Sequence, residues 1–295
     1  MIAHASNGIS RGARGAALLL VLWLIALLTA LVGAFALTAQ IEGLQGRVLV
    51  RGLSASGAAR AGVEYALTRV GLDDPRRQWQ ADGRPHAWRY AGAEIEVRIV
   101  DENGKVDLNQ AELPLLTGLL RTLGLEQMEA ARLAAAILDW RDFDSLTQPA
   151  GGAEDGDYAS AGRAYGAKDA EFESIAELEQ VLGFTPALYA RIAPHVTVYS
   201  GRPQPDPAFA SAQVLDAMGL DGAALVDQRR RIDPVTGQSP AALSDRSGTY
   251  SIDSRARLAG GGGESVLRVV VRAGGNAVPG MAYTALRWEE GVSPL

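Results

Sequence analysis

The chain has 295 residues, 47% hydrophobic and 21% charged, with a formal net charge of −6. At ~150 residues per domain that length suggests about two domains. The composition excludes a mostly disordered chain and a polytopic membrane protein, and the acidic balance argues against a general nucleic-acid surface. The absence of cysteine excludes disulfides, zinc–thiolate and iron–sulfur centres and thiol nucleophiles. His4, His86 and His195 lie far apart in sequence, which argues against a multi-histidine metal centre.

Met1 to Gly15 holds Arg11 and Arg14 and no acid, and Ala16 to Ile41 is a run of 26 uncharged residues. As a helix rising ~1.5 Å per residue it covers ~39 Å, enough to span a bilayer with some tilt. The leading positive charges predict a cytoplasmic N-terminus with the rest of the chain outside. Three readings compete. A cleaved secretory signal has a shorter apolar core than this; a plain single-span anchor fits the length. The third is a type IV prepilin leader, which the segment resembles because Arg14-Gly15 stands directly before Ala16 and the apolar run. Cleavage after Gly15 would then make Ala16 the mature N-terminus. The fifth mature position is Leu20, where major pilins and most pseudopilins carry Glu. A carboxylate there would need a neighbour's ammonium in an apolar surrounding, so its absence fits either a protein that is no pilin or a subunit needing no such partner.

Beyond Gln40 the pattern stays helical but becomes amphipathic, with Ile41, Leu44, Val48, Leu49, Leu53, Ala58, Ala59, Val63, Ala66, Leu67 and Val70 near 3- and 4-residue spacing. One helix from about Ala16 to Val70 is expected, its first half in lipid and its second packed on a domain. Gly43, Gly46, Gly52, Gly57 and Gly62 each cost about 1 kcal/mol relative to Ala in a helix interior, which packing must offset. A loop over Gly71–Pro85 precedes two strands, His86–Tyr90 and Ala93–Val100, the second alternating polar and apolar residues. Asp101-Glu-Asn-Gly104 is a turn signal, followed by Lys105-Val-Asp-Leu-Asn109.

The period is helical from Glu112 to about Val196. Helices are predicted at Pro114–Thr122, Gln127–Trp140, Ser174–Leu182 and Pro186–Ala193. Ser174 with Glu177 has capping-box spacing, and Thr185-Pro186 is an N-cap followed by proline at the first helical position. Gly201–Pro207 reads as a linker, with a further pair at Ala208–Gly219 and Gly222–Arg230. Strands return at Thr249–Leu258, Ser265–Ala273 and Met281–Glu289, separated by Gly260–Gly263 and Gly274-Gly275-Asn276. The expected fold class is α+β. A long N-terminal helix packs on an antiparallel sheet, and an all-α block is inserted between the strands. The boundaries read as a leader at 1–15, a transmembrane helix at 16–41, α/β parts at 42–108 and 241–295, and the helical insertion at 109–240.

The densest chemical constellation is Asp139, Asp142, Asp144, Glu154, Asp155 and Asp157, six acids against the single base Arg141. Hard oxygen ligands on a glycine-containing loop suit Ca²⁺, although the spacing is not that of an EF-hand. A solvated acidic loop with Asp caps, and catalytic carboxylates, remain alternatives; nothing selects a glycosidase-type acid–nucleophile pair. Ile175–Ile192 has the outline of a helix-hairpin-helix, but its turn, Gly-Phe-Thr-Pro, lacks a second glycine and Glu177 and Glu179 flank it. A structural hairpin is therefore favoured over phosphate binding. Arg229–Arg231 reads as a solvated helix end, His195 as a capping or packing residue, and Trp23 as facing lipid or a partner. Gly260–Gly263 lacks the Lys-Ser/Thr of a phosphate loop, and neither Gly-x-Ser-x-Gly nor His-Glu-x-x-His occurs.

An ordered set of segments resembles the type II secretion minor pseudopilin K family (general secretion pathway protein K, GspK). They are Arg14-Gly15-Ala16 with Leu18–Leu24, Asp101–Asn109, Asp139-Trp140 with Asp144, Gly151–Asp155 and Leu188–Tyr199. The resemblance implies a pilin-like α/β domain with a large helical insertion of SAM-like, helix-hairpin type. It implies cleavage between Gly15 and Ala16 and N-methylation of Ala16 by the prepilin peptidase. It also implies a single-pass protein of the bacterial inner membrane with a periplasmic C-terminal domain, assembling with minor pseudopilins I and J at the tip of a pseudopilus. Secreted substrates and the outer-membrane channel are further partners it suggests; nucleic acid is not among them. Members typically lack the fifth-position Glu, as at Leu20. Calcium is the cofactor it implies, placed on Asp139, Asp142, Asp144, Glu154, Asp155 and Asp157, with no catalytic residue. Two rival readings are a membrane-anchored periplasmic hydrolase using the acidic cluster and a DNA-uptake pilin using the hairpin and Arg229–Arg231.

Overall fold

A computed structural model describes residues 13–72, 74, 76–231, 246–260, 263–274 and 282–291. Residues 1–12 therefore lie outside the described residues, as do Gly261 and Gly262 and the turn residues Gly275 and Asn276. Two compact units are found, Met1–Leu53 and Ser54–Leu295. Helix α1, Ala13–Val70, contributes to both.

In the first unit the described side chains, from Ala17 on, are exposed, including Leu20 at 72% and Trp23 at 74%. Among the described residues this is the one helix long and apolar enough to cross a membrane. Thr29 and Thr38 donate their hydroxyls to the carbonyls of Ile25 and Ala34, so neither polar group needs water. The expected packing of the amphipathic stretch begins later than its periodicity suggests. Ile41, Leu44, Val48, Leu49 and Leu53 are all exposed, and burial starts only at Ala55.

In the second unit, Ala55, Ala58, Ala59, Val63, Ala66 and Val70 form the buried stripe of α1, at the spacing of one helical face. It covers one face of a five-stranded antiparallel sheet in the order β1-β2-β5-β6-β7. The two strands preceding the helical block are β1 (Asp82–Tyr90) and β2 (Ala93–Asp101). Two short strands within it, β3 (Val106–Asp107) and β4 (Val196–Thr197), pair with each other in parallel. The sheet resumes with β5 (Thr249–Leu258), β6 (Glu264–Ala273) and β7 (Tyr283–Glu290). The last starts past Met281, which lies outside the described residues. Strand β2 buries every second residue, and its register sets Ile99 opposite Ile252 and Ile95 opposite Ala256, giving the helix a continuous apolar floor. Gly62 is the one α1 glycine with a packing role visible here. A Cβ there would lie 2.3 Å from Ser254 Oγ and 2.9 Å from the Ile95 side chain, so helix and sheet approach through the absent side chain.

Between β2 and β5 lies a second apolar core made of helices: α2 (Leu113–Thr122), α3 (Gln127–Arg141), α4 (Asp155–Ser160), α5 (Pro186–Ile192), α6 (Ala212–Ala217) and α7 (Gly222–Arg230). In the segment after the turn, Lys105–Asn109, Val106 and Leu108 sit in the helical core and Val106–Asp107 pair with β4, so the chain changes layer just after Asp101. Two expectations change. Ser174–Leu182 is not an α-helix but a 3₁₀ turn over Ile175–Glu179, because Tyr158 Oη holds the Leu182 N–H and Tyr165 Oη bonds to the Gln180 carbonyl. Ala208–Gly219 contains only the short α6, capped by Ser211, because the Ala208 and Ala210 carbonyls accept from Arg229 instead.

The junction is polar and buried. Asp101 accepts from the amides of Asn103 and Ser247 at 2.9 and 3.0 Å. Lys105 Nζ reaches Glu102 Oε1 at 2.7 Å and Ser251 Oγ at 2.6 Å. Asp107 accepts from the Gly201 amide at 2.7 Å and Ser200 Oγ at 3.0 Å. Asn109 exchanges two hydrogen bonds with the backbone of Phe172, at 2.7 and 2.9 Å. Glu102 and Lys105 are almost wholly buried, so their attraction is little screened. Replacing Lys105 by Met strands the Glu102 carboxylate, at a cost of about 3–5 kcal/mol. Thermal unfolding of the full chain in detergent should show a large fall in Tm for Lys105→Met and substantial recovery in Lys105→Met/Glu102→Leu.

Candidate metal centre

Helix α3 carries its last turn into the acidic segment and aims consecutive side chains in different directions. Trp140 is buried among Tyr158, Tyr165 and Phe172. Arg141 turns back to the Leu108 and Ala111 carbonyls, fixing the end of α3 to the layer-changing segment. Asp142 is the C-cap, its amide bonded to the Leu138 carbonyl. Asp142, Asp144 and Glu154 then converge, each offering a carboxylate oxygen within 4.8 Å of the others.

The other three expected ligands are engaged elsewhere. Asp139 is fully buried and accepts from the Gln148 amide at 3.2 Å, which folds the loop back on α3. A Cβ on Gly152 would lie 1.9 Å from its Oδ2, so the glycine is required by this close approach. Asp155 accepts from the Ala167 amide at 3.1 Å, and Asp157 from the Glu154 amide at 3.0 Å. The last bond caps α4, a helix absent from the sequence-based expectation although the spacing Glu154-x-x-Asp157 is its signal. Asp169 was missed altogether. It lies close enough to raise the pKa of both Asp142 and Glu154, and its φ of +53° is unusual for a residue with a side chain.

The electrostatics are unfavourable without a counter-ion. Burial, then the charges of Asp139, Asp142, Asp169 and Asp144, push the Glu154 carboxyl up to about 7. Burial also pushes Asp139 to about 6 and raises Asp142. The negative end of the α3 dipole adds to the repulsion. Glu154 Oε1 and Asp142 Oδ1 are buried and accept no hydrogen bond from the described residues. Orphaned carboxylate oxygens in an all-oxygen cluster match what a hard divalent cation demands.

The two basic features are structural. Arg229 is buried, giving the Ala208 and Ala210 carbonyls hydrogen bonds of 2.7 and 2.6 Å, which corrects its reading as solvated; Arg231 pairs with Asp227 at 2.6 Å. His195 Nδ1 lies 3.0 Å from Ser211 Oγ, in keeping with a packing role.

Fold and centre together define a class: an α/β subunit with a long apolar N-terminal helix and a helical insertion bearing an acidic, cation-type cluster. Residues 96–201, which include both the junction and the cluster, match the family model for type II secretion system (T2SS), protein K. This stretch of the chain is similar to the family that the ordered motifs resemble. The type II secretion system protein K of Klebsiella pneumoniae is 30% identical over 211 residues, covering 62% of each chain. That of Aeromonas hydrophila is 31% identical over 176 residues, covering 54% of this chain and 53% of the relative. The match thus spans about three-fifths or less of the length of these curated relatives. A chain in the crystal structure of the GspK-GspI-GspJ complex from enterotoxigenic Escherichia coli shares the fold. Its TM-score is 0.60 at 18% identity, with 84% of this chain and all of that one covered.

The raised carboxyls set a pH dependence with a definite sign. A folded pKa above the unfolded one means the folded state holds the extra proton, so stability is fully present below about 4.5 and is lost as pH rises through about 7. The buried His195, depressed to about 4, acts in the opposite direction over acid pH, so comparison with a variant isolates the acid cluster. In calcium-free buffer, Glu154→Gln should match the parent's Tm near pH 4.5 and exceed it increasingly up to pH 7.5.

Proposed function

We propose that this chain is a minor pseudopilin of a type II secretion system. In this reading it sits in the bacterial inner membrane through α1, with its α/β and helical parts in the periplasm, and assembles with minor pseudopilins I and J at the pseudopilus tip to support export across the outer membrane. The observation that carries it is the match to the protein K family model at 96–201 on a chain whose first helix is uncharged from Ala16 to Ile41. The solved structural relative is itself named as a complex of K, I and J. Leu20 in place of a carboxylate suits a subunit with no neighbour's N-terminal ammonium to pair with. The role is assembly rather than catalysis. Co-purification of the full chain with I and J from detergent-solubilised membranes, with intact mass measured on the product, tests this. The expected result is a three-protein complex in which this chain begins at N-methylated Ala16; a chain still beginning at Met1 rejects the processing.

The cofactor proposed for the centre is calcium, held by Asp142, Asp144 and Glu154, with Asp139 fixing the loop behind them and Asp169 adding charge. The orphaned Glu154 Oε1 and Asp142 Oδ1 support this reading. Bound cation would offset much of the cluster's charge and join the end of α3 to the start of α4. Calcium added to the full chain should raise Tm by the amount its affinity dictates. Asp142→Asn/Glu154→Gln should abolish the rise while its own calcium-free Tm at pH 7.5 equals or exceeds the parent's.

A further inference from the structure

The acidic loop carries two side chains that the centre does not use. Phe143 is 84% exposed and Leu146 is 74% exposed, in a unit whose other large apolar side chains are mostly buried. Their placement follows from the cluster itself. Asp142 is extended, with φ −81° and ψ 165°, and the carboxylates of Asp142 and Asp144 converge on one point. Phe143 lies between these two converging carboxylates, in the bend that follows α3, and its side chain stands in solvent. Asp144 Oδ1 also accepts from the Leu146 amide at 2.8 Å, so the same carboxylate that joins the cluster sets the backbone of the second apolar residue. A polar side chain at 143 would satisfy the geometry equally well. A phenylalanine this exposed, with an exposed leucine three residues on and carboxylates on either side of it, is an apolar pair left in solvent beside a charged cluster.

We propose that the loop Asp142–Gln148 is a docking element conditioned by the cation, with Phe143 and Leu146 as anchors for a second protein bearing an apolar pocket rimmed by Lys or Arg. This rests on the calcium reading above. Charge decides the occupant. Between Asp139 and Asp157 there are six acids and one base, so the surround stays negative even with one divalent ion bound. That repels an anionic lipid surface and a second copy of this chain, whose net charge is −6, and favours a basic rim. Buried apolar anchors supply the affinity and the acidic rim the selectivity.

The test uses the full chain expressed in its own secreting cells. Phe143→Ser/Leu146→Ser should lower export of the cell's type II substrates at least tenfold, while calcium affinity of the purified chain stays within twofold and co-purification with I and J is unchanged. Phe143→Tyr/Leu146→Met should restore export. A photo-crosslinking phenylalanine analogue at position 143 should give an adduct with a protein other than this chain, lost in Asp142→Asn/Glu154→Gln. Normal export by the double Ser variant overturns the inference, as does a parallel loss of calcium affinity, which would make the two residues mere loop packing. Adducts only to lipid, or only to another copy, overturn the choice of occupant and with it the proposal. If cells lacking the chain export normally, the pseudopilin reading fails as well; if the parent binds no calcium, the conditioning fails while that reading stands.

Discussion

The structure turns on the buried polar segment Asp101–Asn109. It carries the chain from the sheet into the helical layer, through a region where an unpaired amide or carboxylate would be expensive. Five of its polar side chains have assigned partners: Asp101 holds Ser247 where the chain returns to the sheet, Lys105 joins Glu102 to Ser251 on β5, and Asp107 and Asn109 hold Gly201 and Phe172, much further along the insertion. A buried network of this kind adds specificity more than net stability. It selects one way of joining two cores that hydrophobic burial alone would join in several.

The acidic centre is the opposite case. Its carboxylates are brought together by well-formed structure, α3 on one side and the capped start of α4 on the other, yet their charges are not satisfied by protein groups. A fold that spends local stability to hold like charges together is one poised for a positive partner. The tether from Arg141 to the Leu108 and Ala111 carbonyls links this centre directly to the junction.

Much of this was legible from residues. The uncharged run after Gly15 announced the apolar helix, strict alternation announced β2, and the caps at Ser174 and Thr185 form as their spacing says. Features that depend on partners distant in sequence were not. Val106–Asp107 follows a turn signal, but its pairing with Val196–Thr197 is revealed by no local pattern. Arg229 reads as solvated because the carbonyls that bury it are about twenty residues away. The apolar positions from Ile41 to Leu53 carry the same periodicity as the buried ones after Ala55, since a helix built to meet lipid or other helices is written like one built to meet a sheet. In the acidic cluster the residue type was legible, but not which three of the six would converge, because hydrogen bonds to Gln148, Ala167 and Glu154 decide that. Asp169 carries no motif at all.

The neighbouring strands β2 and β5 are joined, residue by residue, across a gap that contains the whole helical layer. Closing so long a loop before anything rewards it is entropically slow. Local contacts favour early formation of the β1–β2 hairpin and the helical layer. The central pairing of the sheet must wait until Thr249 and the residues after it have been made. Throughout that interval β2 presents an unpaired, half-apolar edge, a template for mispairing with other chains. A helical layer that collapses early shortens the effective loop to the span between Asp101 and Ser247. The cost of building the helical layer into the sheet is thus a long closure between two strands that end up as neighbours, shortened only as the insertion itself becomes compact.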